Sequence, residues 1–375
     1  MTTPSSGDRT GSSGAGHPIA ATETRTTLRI GIIGAGGIAS KLHLPQLAAL
    51  PDVRVTRLSG RSEHRLRLLA QRFAVPRWSH DYHDLLDDPE IDAVVVALPH
   101  PLHVPVALEA LAAGKHLLVQ KPLCDRLDDA DRFVEAVEAS DRVVLCLPHL
   151  APAVYAARQL VREGRIGKLS GASGRSSHGG PEVYYAEVRD TFGETGNDLW
   201  FFDARRASVG ALFDMGVYAT SQLVAVAGSV VSVFGRTATL DKPTTLEDTA
   251  ILLLEFEHGV LGTMETSWCD PARTSFLHVH GTRGKLTSPG HAGNPLTFWE
   301  PGSYTREDVP PVPHTIDVAP FDLGNAHRHF VDCIRQGRQP PLSNARTARH
   351  VTEVLLAGLE SARTGRPVPI RSRLA

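Results

Sequence analysis

The chain has 375 residues, of which 42% are hydrophobic and 21% are charged, and its formal net charge is −2. This composition is ordinary for a globular protein with room for about two domains that each bury a core. The near-neutral charge gives no electrostatic reason to expect nucleic acid or a membrane surface as a partner, so we expect a small-molecule substrate.

The N-terminal segment and the cysteines favour a cytoplasmic protein. Residues 1–27 are rich in Ser, Thr, Gly and Ala and have no long apolar stretch, so we expect a disordered tail and not a signal peptide. No run approaches the ~18 consecutive apolar residues of a membrane span. The four cysteines are far apart, and the 18 histidines form no helical ligand pair, so we expect reduced thiols and no bound metal.

Residues 28–147 alternate short apolar runs with helical segments, a pattern typical of a doubly wound parallel sheet covered by helices. We therefore predict an α/β protein whose N-terminal domain, residues 28–147, is a Rossmann domain. The predicted strands are 28–34, 53–59, 92–98, 116–119 and 142–147, and the predicted helices are 38–50, 63–73, 102–113 and 127–139.

The first predicted strand runs into a glycine turn, Gly34-x-Gly36-x-x-Ala39, at the start of a predicted helix. In this pattern Gly34 permits a tight turn, Gly36 lets a phosphate approach the backbone, and the small Ala39 lets helix and strand pack closely. Free N–H groups at the helix start then face the anion. The turn predicts a dinucleotide pyrophosphate site, although a plain connection between strand and helix can carry the same glycines.

Residues 148–375 are predicted to form a second, α+β domain with a large, mostly antiparallel sheet. A helix over 152–163 is followed by a glycine- and serine-rich segment at 170–180 and by a helix at 210–227. Strands are predicted at 230–239, 249–257, 260–268, 275–281 and 284–288, and helices near 321–336 and 344–363.

Four local motifs accompany this order of elements: GAGGIA at 34–39, LPHPLH at 98–103, AGKHLLVQKP at 113–122 and GALFDMGVY at 210–218. Over about 28–370 the chain resembles the glucose-fructose oxidoreductase, inositol dehydrogenase and rhizopine-catabolism family of NAD(P)-dependent oxidoreductases. The third motif is the most specific of the four.

The resemblance implies a catalytic group made of Lys121, Asp214 and Tyr218, with Lys121 bonded to the reacting oxygen beside the nicotinamide. Tyr218 is the candidate proton carrier, and the Lys121 ammonium would stabilise its phenolate. Asp214 would orient the substrate or the lysine, and its four-residue separation from Tyr218 places both on one helix face. Without the resemblance, Lys121 is a surface lysine after a strand and Tyr218 is a core tyrosine with a bonded hydroxyl.

The third motif departs from the family pattern, which is Glu-Lys-Pro, because this chain has Gln120-Lys121-Pro122. Glutamine keeps the length and hydrogen-bonding capacity but removes a negative charge beside Lys121, which should make the protonated lysine less favoured. We expect a shifted pH optimum and not a loss of activity. A rival interpretation is a degenerate site without redox chemistry, and the retained catalytic group argues against it.

The end of the second predicted strand bears on the choice of cofactor. An acidic residue there grips the ribose 2′-hydroxyl of NAD, but residues 58–62 read LSGRS and contain no carboxylate. Ser59, Arg61 and Ser62, with Arg65 as a further candidate, could instead hold a 2′-phosphate, so we favour NADP over NAD. A solvated basic turn would look the same. With the resemblance, the cofactor contacts are predicted to be Gly34, Gly36, Gly37, Ile38, Ser59, Arg61, Ser62, Pro99, His103, Gln120 and Lys121.

The candidate substrate contacts are His149, His178, Asp198 and Trp200. Many relatives carry an arginine where this chain has Pro148, His149 and their neighbours, so an anionic group recognised there in other members need not belong to this substrate. The resemblance thus implies an NADP-dependent dehydrogenase or reductase acting on a secondary alcohol or ketone of a sugar, cyclitol or related polyhydroxylated molecule.

Two other functions remain open at this point. One is an enzyme that uses a tightly bound cofactor transiently, for epimerisation or glycoside cleavage, and the other is a non-catalytic nucleotide-sensing regulator. The resemblance also implies a homodimer or homotetramer formed through the open face of the sheet at 230–288. The apolar positions of those strands could equally be covered by the chain's own helices.

Overall fold

The computed structural model describes residues 27–195, 199–289 and 295–374. The predicted tail at 1–27 therefore lies, except for its last residue, outside the described residues. Within the described ranges, no helix has the length and apolar character needed to cross a membrane.

The first lobe is built on a six-stranded sheet in which every strand runs parallel to its neighbours. The spatial order is β3-β2-β1-β4-β5-β6, the doubly wound arrangement predicted from the alternating pattern. Its central strands are apolar because helices cover both faces. The strands are β1 Leu28–Ile33, β2 Val53–Ser59, β3 Arg77–Ser79, β4 Ala93–Val96, β5 His116–Val119 and β6 Val144–Cys146.

The helices of this lobe follow the predicted segments. The helix after the glycine turn begins with a π-helical stretch, Ala39–His43, before its α-helical part. β3 and the four-residue α3 were not predicted, because three or four residues are too few to establish a periodicity. The helices are α1 Leu44–Ala48, α2 Glu63–Arg72, α3 His83–Leu86, α4 His103–Ala112 and α5 Leu127–Glu138.

The second lobe combines helices with a nine-stranded sheet, as the α+β prediction requires. Two of its helices end or begin differently from the prediction: the helix at 210–227 is divided at Met215, and the helix near 321–336 begins at Ala326 because the Asn325 side chain caps it. The helices are α6 Pro152–Arg162, α7 Pro181–Phe192, α8 Ala204–Ala207, α9 Ala211–Asp214, α10 Gly216–Ala227, α11 Ala326–Gln336 and α12 Ala345–Thr364.

The nine strands lie in the order β14-β13-β12-β11-β7-β10-β9-β8-β15, and all neighbours are antiparallel except β7 and β10. The pattern did not predict β13, β14, β15 or α7. The strands are β7 Leu169–Ser177, β8 Val230–Ala238, β9 Thr249–Phe256, β10 Leu261–Ser267, β11 Ser275–Gly281, β12 Gly284–Ser288, β13 Leu296–Glu300, β14 Val312–Ile316 and β15 Val368–Pro369.

The glycine- and serine-rich segment at 170–180, which the sequence did not identify as a strand, contains β7 at the centre of this sheet. Its small residues serve close packing: a Cβ on Gly174 would lie 3.3 Å from Leu223 of α10. Gly and Ser have low strand propensity, which is why β7 was not predicted, but their small size lets α10 pack close to the sheet.

Three helices that follow residue 148, α7, α11 and α12, pack against the first lobe. Val188 and Phe192 of α7, and Phe330 and Val331 of α11, are buried in the same hydrophobic cluster as Leu58 of β2. The strand ends of the Rossmann sheet are therefore overlaid by elements from the second half of the chain.

Candidate active site

The glycine turn lies at the carboxyl end of β1, where α1 and its π-helical start lead away from the sheet. Gly34 has φ +110°, and a Cβ there would lie 2.2 Å from the Ala97 carbonyl oxygen, so the turn requires glycine. A Cβ on Gly36 would have no described heavy atom within 4 Å. The space above Gly36 is open to a ligand, and Ile38 at the helix start makes no side-chain capping bond.

Lys121 follows β5 at the same edge of the sheet and is the centre of the candidate active site. Its Nζ donates to the Asp214 carboxylate Oδ1 at 2.6 Å and to the Asp214 backbone oxygen at 2.6 Å. It also lies 4.9 Å from the centroid of the Tyr218 ring. The three residues predicted to act together are therefore in contact, across the two lobes.

Asp214 is held from two sides. Its Oδ1 accepts from Lys121, and its Oδ2 faces the Trp268 indole at 2.9 Å and His178 Nε2 at 3.3 Å. The Gly180 N–H donates to His178 Nδ1 at 2.8 Å, so that nitrogen is unprotonated and Nε2 carries the proton given to Asp214. The carboxylate is thus a fully bonded anchor, with only 12% of its side chain exposed.

Burial and the attraction between Lys121 and Asp214 together set the pKa of each group. Burial acts to lower the pKa of Lys121, but the Asp214 carboxylate and Tyr218 raise it by more, so the net pKa lies above the ordinary value. Burial acts to raise the pKa of Asp214, but Lys121 and His178 lower it by more. Both groups are therefore ionised at neutral pH, and Asp214 acts as an anchor and not as a proton donor.

The sheet topology explains why His178 and Trp268 meet at Asp214. His178 follows the end of β7, and Trp268 follows the end of β10. Because β7 and β10 are parallel neighbours, the residues after both strands emerge at the same edge. Trp268 was not predicted, because nothing in the sequence indicates that these two strands pair.

An aromatic wall lies beside Asp214. It consists of Trp200, Phe201 and Phe202, all partly exposed, and the buried Trp268. Trp200 and Phe201 stack with their centroids 4.1 Å apart, and Phe201 meets Trp268 edge to face at 6.4 Å. Trp200, a predicted substrate contact, is therefore near the catalytic group, whereas Asp198 lies outside the described residues.

Other predicted contacts are engaged elsewhere. His149 faces His329 of α11 at 3.1 Å, so its ring is paired with a residue outside the Lys121 group. His103 is 1% exposed and lies between the Leu98 and Pro122 carbonyls, and burial lowers its pKa to about 4, so the neutral ring donates to one of the two. It ties together the chain after β4 and β5, and its role as a cofactor contact stays a prediction.

Gln120 is also buried, with 7% exposure, and bonds protein groups at both ends of its amide. Its oxygen accepts from the Lys121 backbone N–H at 2.9 Å, and its nitrogen lies 3.1 Å from His43 Nε2. Pro99 is half-buried and lies in the segment that follows β4. Direct cofactor contacts by Gln120 and Pro99 stay predictions.

The segment after β2 contains the residues predicted to select the cofactor. Ser59 is buried, Arg61 is exposed, and the Ser62 side chain caps α2. Arg65 is engaged: its Nε donates to Glu194 at 2.6 Å, and its guanidinium lies 4.9 Å from the Phe192 ring. Arg65 is therefore a structural residue here, and Arg61 is the better placed of the two for a ligand.

Two features of the structure fit a dinucleotide. The open space above Gly36 and the uncapped helix start suit a pyrophosphate. The surroundings of Gly37 are crowded instead, because a Cβ there would lie 2.2 Å from Val188 and 2.5 Å from Tyr184 of α7. Gly37 therefore lets α7 approach the turn, and its contact with the cofactor, like that of Ile38, stays a prediction.

Comparisons with known proteins agree with this architecture. Residues 28–147 match the family described as "Oxidoreductase family, NAD-binding Rossmann fold", and residues 154–287 match "GFO/IDH/MocA C-terminal domain". Among curated relatives, "Uncharacterized oxidoreductase YrbE" from Bacillus subtilis is 29% identical over 245 residues, 63% of this chain and 66% of that protein. The match thus spans just under two thirds of that relative.

A second relative is matched over more of its length. "dTDP-3,4-didehydro-2,6-dideoxy-alpha-D-glucose 3-reductase" from Streptomyces violaceoruber is 30% identical over 306 residues, 79% of this chain and 83% of that protein. Among solved structures, "Levoglucosan dehydrogenase, complex with NADH and L-sorbose" has a TM-score of 0.76 at 21% identity and covers 92% of this chain and 100% of that one. At that identity the likeness concerns the fold. The sequence matches and the two-lobed fold together place this chain in the GFO/IDH/MocA family of oxidoreductases.

Proposed function

We propose that this protein is an NADP-dependent oxidoreductase that moves a hydride between nicotinamide and a secondary alcohol or ketone of a sugar, cyclitol or related polyhydroxylated molecule. The observation that carries the proposal is the contact of Lys121 with both Asp214 and Tyr218 at the carboxyl edge of the Rossmann sheet. A nicotinamide, when bound, supplies or accepts the hydride. The chain must then bind the substrate oxygen and move its proton.

Lys121 is suited to hold that oxygen. An ammonium has three N–H donors, and two of them are directed at the carboxylate and backbone oxygens of Asp214. The same nitrogen also lies beside Tyr218, so a substrate hydroxyl or carbonyl bound here would meet both groups. Because Asp214 already fixes the position of the nitrogen, the lysine side chain loses little conformational freedom when substrate binds.

Tyr218 is the candidate proton carrier. The Lys121 ammonium lies 4.9 Å from the centroid of its ring, so the two groups can act on the same substrate oxygen. In the oxidation direction the phenolate would accept the hydroxyl proton of the substrate, and in the reduction direction the phenol would return it. Lys121 keeps its proton in both directions, as its raised pKa requires.

The aromatic wall supports a substrate with an uncharged ring. The stacked Trp200 and Phe201 offer flat apolar surface near the polar catalytic group. A sugar or cyclitol has this combination of an apolar C–H face and edge hydroxyls. The levoglucosan dehydrogenase and dTDP-sugar reductase named above act on molecules of this kind, according to their names.

The test is a screen of ketones with NADPH and of polyols with NADP, followed by NADPH absorbance. We expect turnover with the wild type and a loss of roughly 10²- to 10⁴-fold in kcat in Lys121→Ala and Tyr218→Phe. Unchanged turnover in both variants would refute this mechanism. Substrate conversion without net change in NADPH would indicate transient redox chemistry, and tight cofactor binding with no hydride transfer would indicate a regulator.

The preference for NADP rests on Arg61. Glu63, which follows this turn in the sequence, pairs with Arg67 one helical turn away. We expect Arg61→Ala to raise KM for NADP by roughly 10- to 100-fold, the value of a charge-assisted contact with phosphate, and to leave KM for NAD nearly unchanged. Arg67→Ala, on α2, is the matched control. A wild type that prefers NAD would refute the assignment.

We also propose that the chain forms a homodimer or homotetramer through the uncovered face of the large sheet. Ile251, Leu253 and Leu261 are 52%, 46% and 55% exposed there, while the alternate residues of β9 are buried under the helices. Leu253→Glu should therefore yield a smaller species in light scattering coupled to size-exclusion chromatography. A wild type that is monomeric at micromolar concentration would contradict the proposal.

A further inference from the structure

Gln120 begins a buried chain of hydrogen bonds that crosses from one lobe to the other. Its amide nitrogen lies 3.1 Å from His43 Nε2, His43 Nδ1 lies 2.8 Å from His327 Nε2, and His327 Nδ1 lies 2.7 Å from Gln46 Oε1. His43 and His327 are 0% exposed. His43 and Gln46 belong to the helix that follows the glycine turn, and His327 belongs to α11.

The direction of this chain is fixed by one backbone group. The Lys121 N–H can only donate, so the atom of Gln120 that receives it at 2.9 Å must be the amide oxygen. The NH₂ group of Gln120 therefore faces His43, and His43 Nε2 must accept. That leaves the proton of His43 on Nδ1, where it is donated to His327 Nε2.

The same argument extends to the far end. Because His327 Nε2 accepts, its proton is on Nδ1 and is donated to the oxygen of Gln46. Every donor in the chain thus points from Gln120 towards Gln46, and neither ring needs a second proton. Burial and the neighbouring imidazole keep the pKa of His43 well below its ordinary value, and burial and His149 lower that of His327 to about 4.

A second pair of imidazoles lies beside the two rings. His149, on the segment after β6, and His329, on α11, form this pair. The charged groups acting on that second pair are Asp322, Asp332 and Arg338. No group of three or more potential ligands for a metal ion occurs among the described residues, so the rings are not arranged as a metal site.

We propose that Gln120 is a positioning residue that imposes one direction and a neutral state on the chain Gln120–His43–His327–Gln46, and so holds the backbone of Lys121 in a manner independent of pH. A glutamate at 120 would do the opposite. Its carboxylate can only accept, so His43 would have to carry a proton on Nε2, either by becoming an imidazolium or by reversing the whole chain. The claim about Lys121 in catalysis rests on the proposed function, whereas the claim about the two rings does not.

The tautomers can be observed directly. In ¹⁵N-labelled protein, long-range ¹H–¹⁵N correlation spectra distinguish an imidazole protonated on Nδ1 from one protonated on Nε2. We expect His43 and His327, assigned with His43→Asn and His327→Asn variants, to be protonated on Nδ1 from pH 5.5 to 8. His178 is the internal reference with the opposite tautomer, since Gly180 bonds its Nδ1. Either ring on Nε2, or either titrating in this range, would overturn the proposal.

A matched pair of variants tests the role of Gln120. Gln120→Glu should move the proton of His43 to Nε2 or add a second proton. Gln46→Glu makes the same chemical change at the other end of the chain. A carboxylate there can still accept the Nδ1 proton of His327, so His43 and His327 should both stay protonated on Nδ1. If Gln120→Glu folds and leaves the spectra unchanged, Gln120 does not set the direction. If it does not fold, the wild-type spectra still decide the proposal.

Kinetics then test the consequence for Lys121. Gln120→Glu should give kcat/KM a pH-dependent transition of roughly tenfold between pH 5.5 and 8 that is absent from the wild type and from Gln46→Glu, since one bond to the lysine backbone now depends on a titrating partner. A loss that is the same at every pH would indicate a merely structural role. Should no substrate be found, the proposed function fails while the spectra test the chain independently.

Discussion

Lys121 owes its charge to its neighbours and not to its place at the end of a strand. Burial alone would lower its pKa, and Asp214 reverses that effect. Asp214 in turn depends on His178 and Trp268, which occupy its second oxygen. The proposed catalytic group is therefore a small network in which each member sets the charge or position of the next.

This network predicts the effect of neutralising Asp214. In Asp214→Asn, burial is no longer opposed by a carboxylate, so the pKa of Lys121 should fall and the basic limb of the pH–rate profile should move to lower pH, with a loss of at least roughly 100-fold in kcat at neutral pH. Trp268→Phe is the control, because it keeps the charge and removes one hydrogen bond, with a loss of roughly tenfold. A basic limb that does not move in Asp214→Asn would show that another group titrates.

The three glycines of the glycine turn have different surroundings, so glycine is needed at each of them for a different reason. Gly34 is required by the fold, since its φ is +110° and a Cβ would meet the Ala97 carbonyl oxygen. Gly36 faces open space in the described structure, so only the proposed cofactor would require a glycine there. Gly37 accommodates α7. The motif thus combines a folding residue, a binding residue and a packing residue.

Alanine substitutions should separate these roles. Gly34→Ala should lower the free energy of unfolding by about 1–3 kcal/mol, the usual cost of backbone strain at such a position. Gly36→Ala should change it by less than about 0.5 kcal/mol, as an uncontacted surface site does, yet raise the Kd for the cofactor at least roughly tenfold. Urea unfolding and fluorescence titration with NADPH measure the two effects. Equal loss of stability in both variants would contradict this division.

The sequence predicted the fold better than the details of the site. Alternating apolar runs identified five of the six Rossmann strands, and the motif at 113–122 identified Lys121, because these signals are local. β7 was missed because Gly and Ser have low strand propensity, and its place in the sheet is decided by packing under α10. Trp268 and the partners of Gln120 were missed because they are joined only by tertiary contacts.

For the whole molecule, buried histidines should make stability depend strongly on pH. Burial lowers the pKa of five of them to about 4, so the unfolded chain, in which the pKa is near 6.5, binds more protons between these values. Stability is then complete above about pH 6.5 and is lost as the pH falls towards 4, by at most about 1.4 kcal/mol per pH unit for each histidine. These residues are His103, His116, His149, His327 and His350.

Urea midpoints measured between pH 4.5 and 7 would check this expectation. His116→Asn should reduce the slope of unfolding free energy against pH by about one proton. A slope close to zero in the wild type would mean that the histidines are protonated in the folded protein and would contradict their burial as neutral rings.

The packing of α11 against the Rossmann lobe has a consequence for biosynthesis. Phe330 and Val331 complete a core whose other members include strands that end before residue 147. A ribosome adding about 5–20 residues per second needs roughly 10–40 s to synthesise the intervening chain. Through that interval the nascent first lobe exposes the apolar surface that α11 later covers, and surface of this kind favours aggregation or chaperone binding.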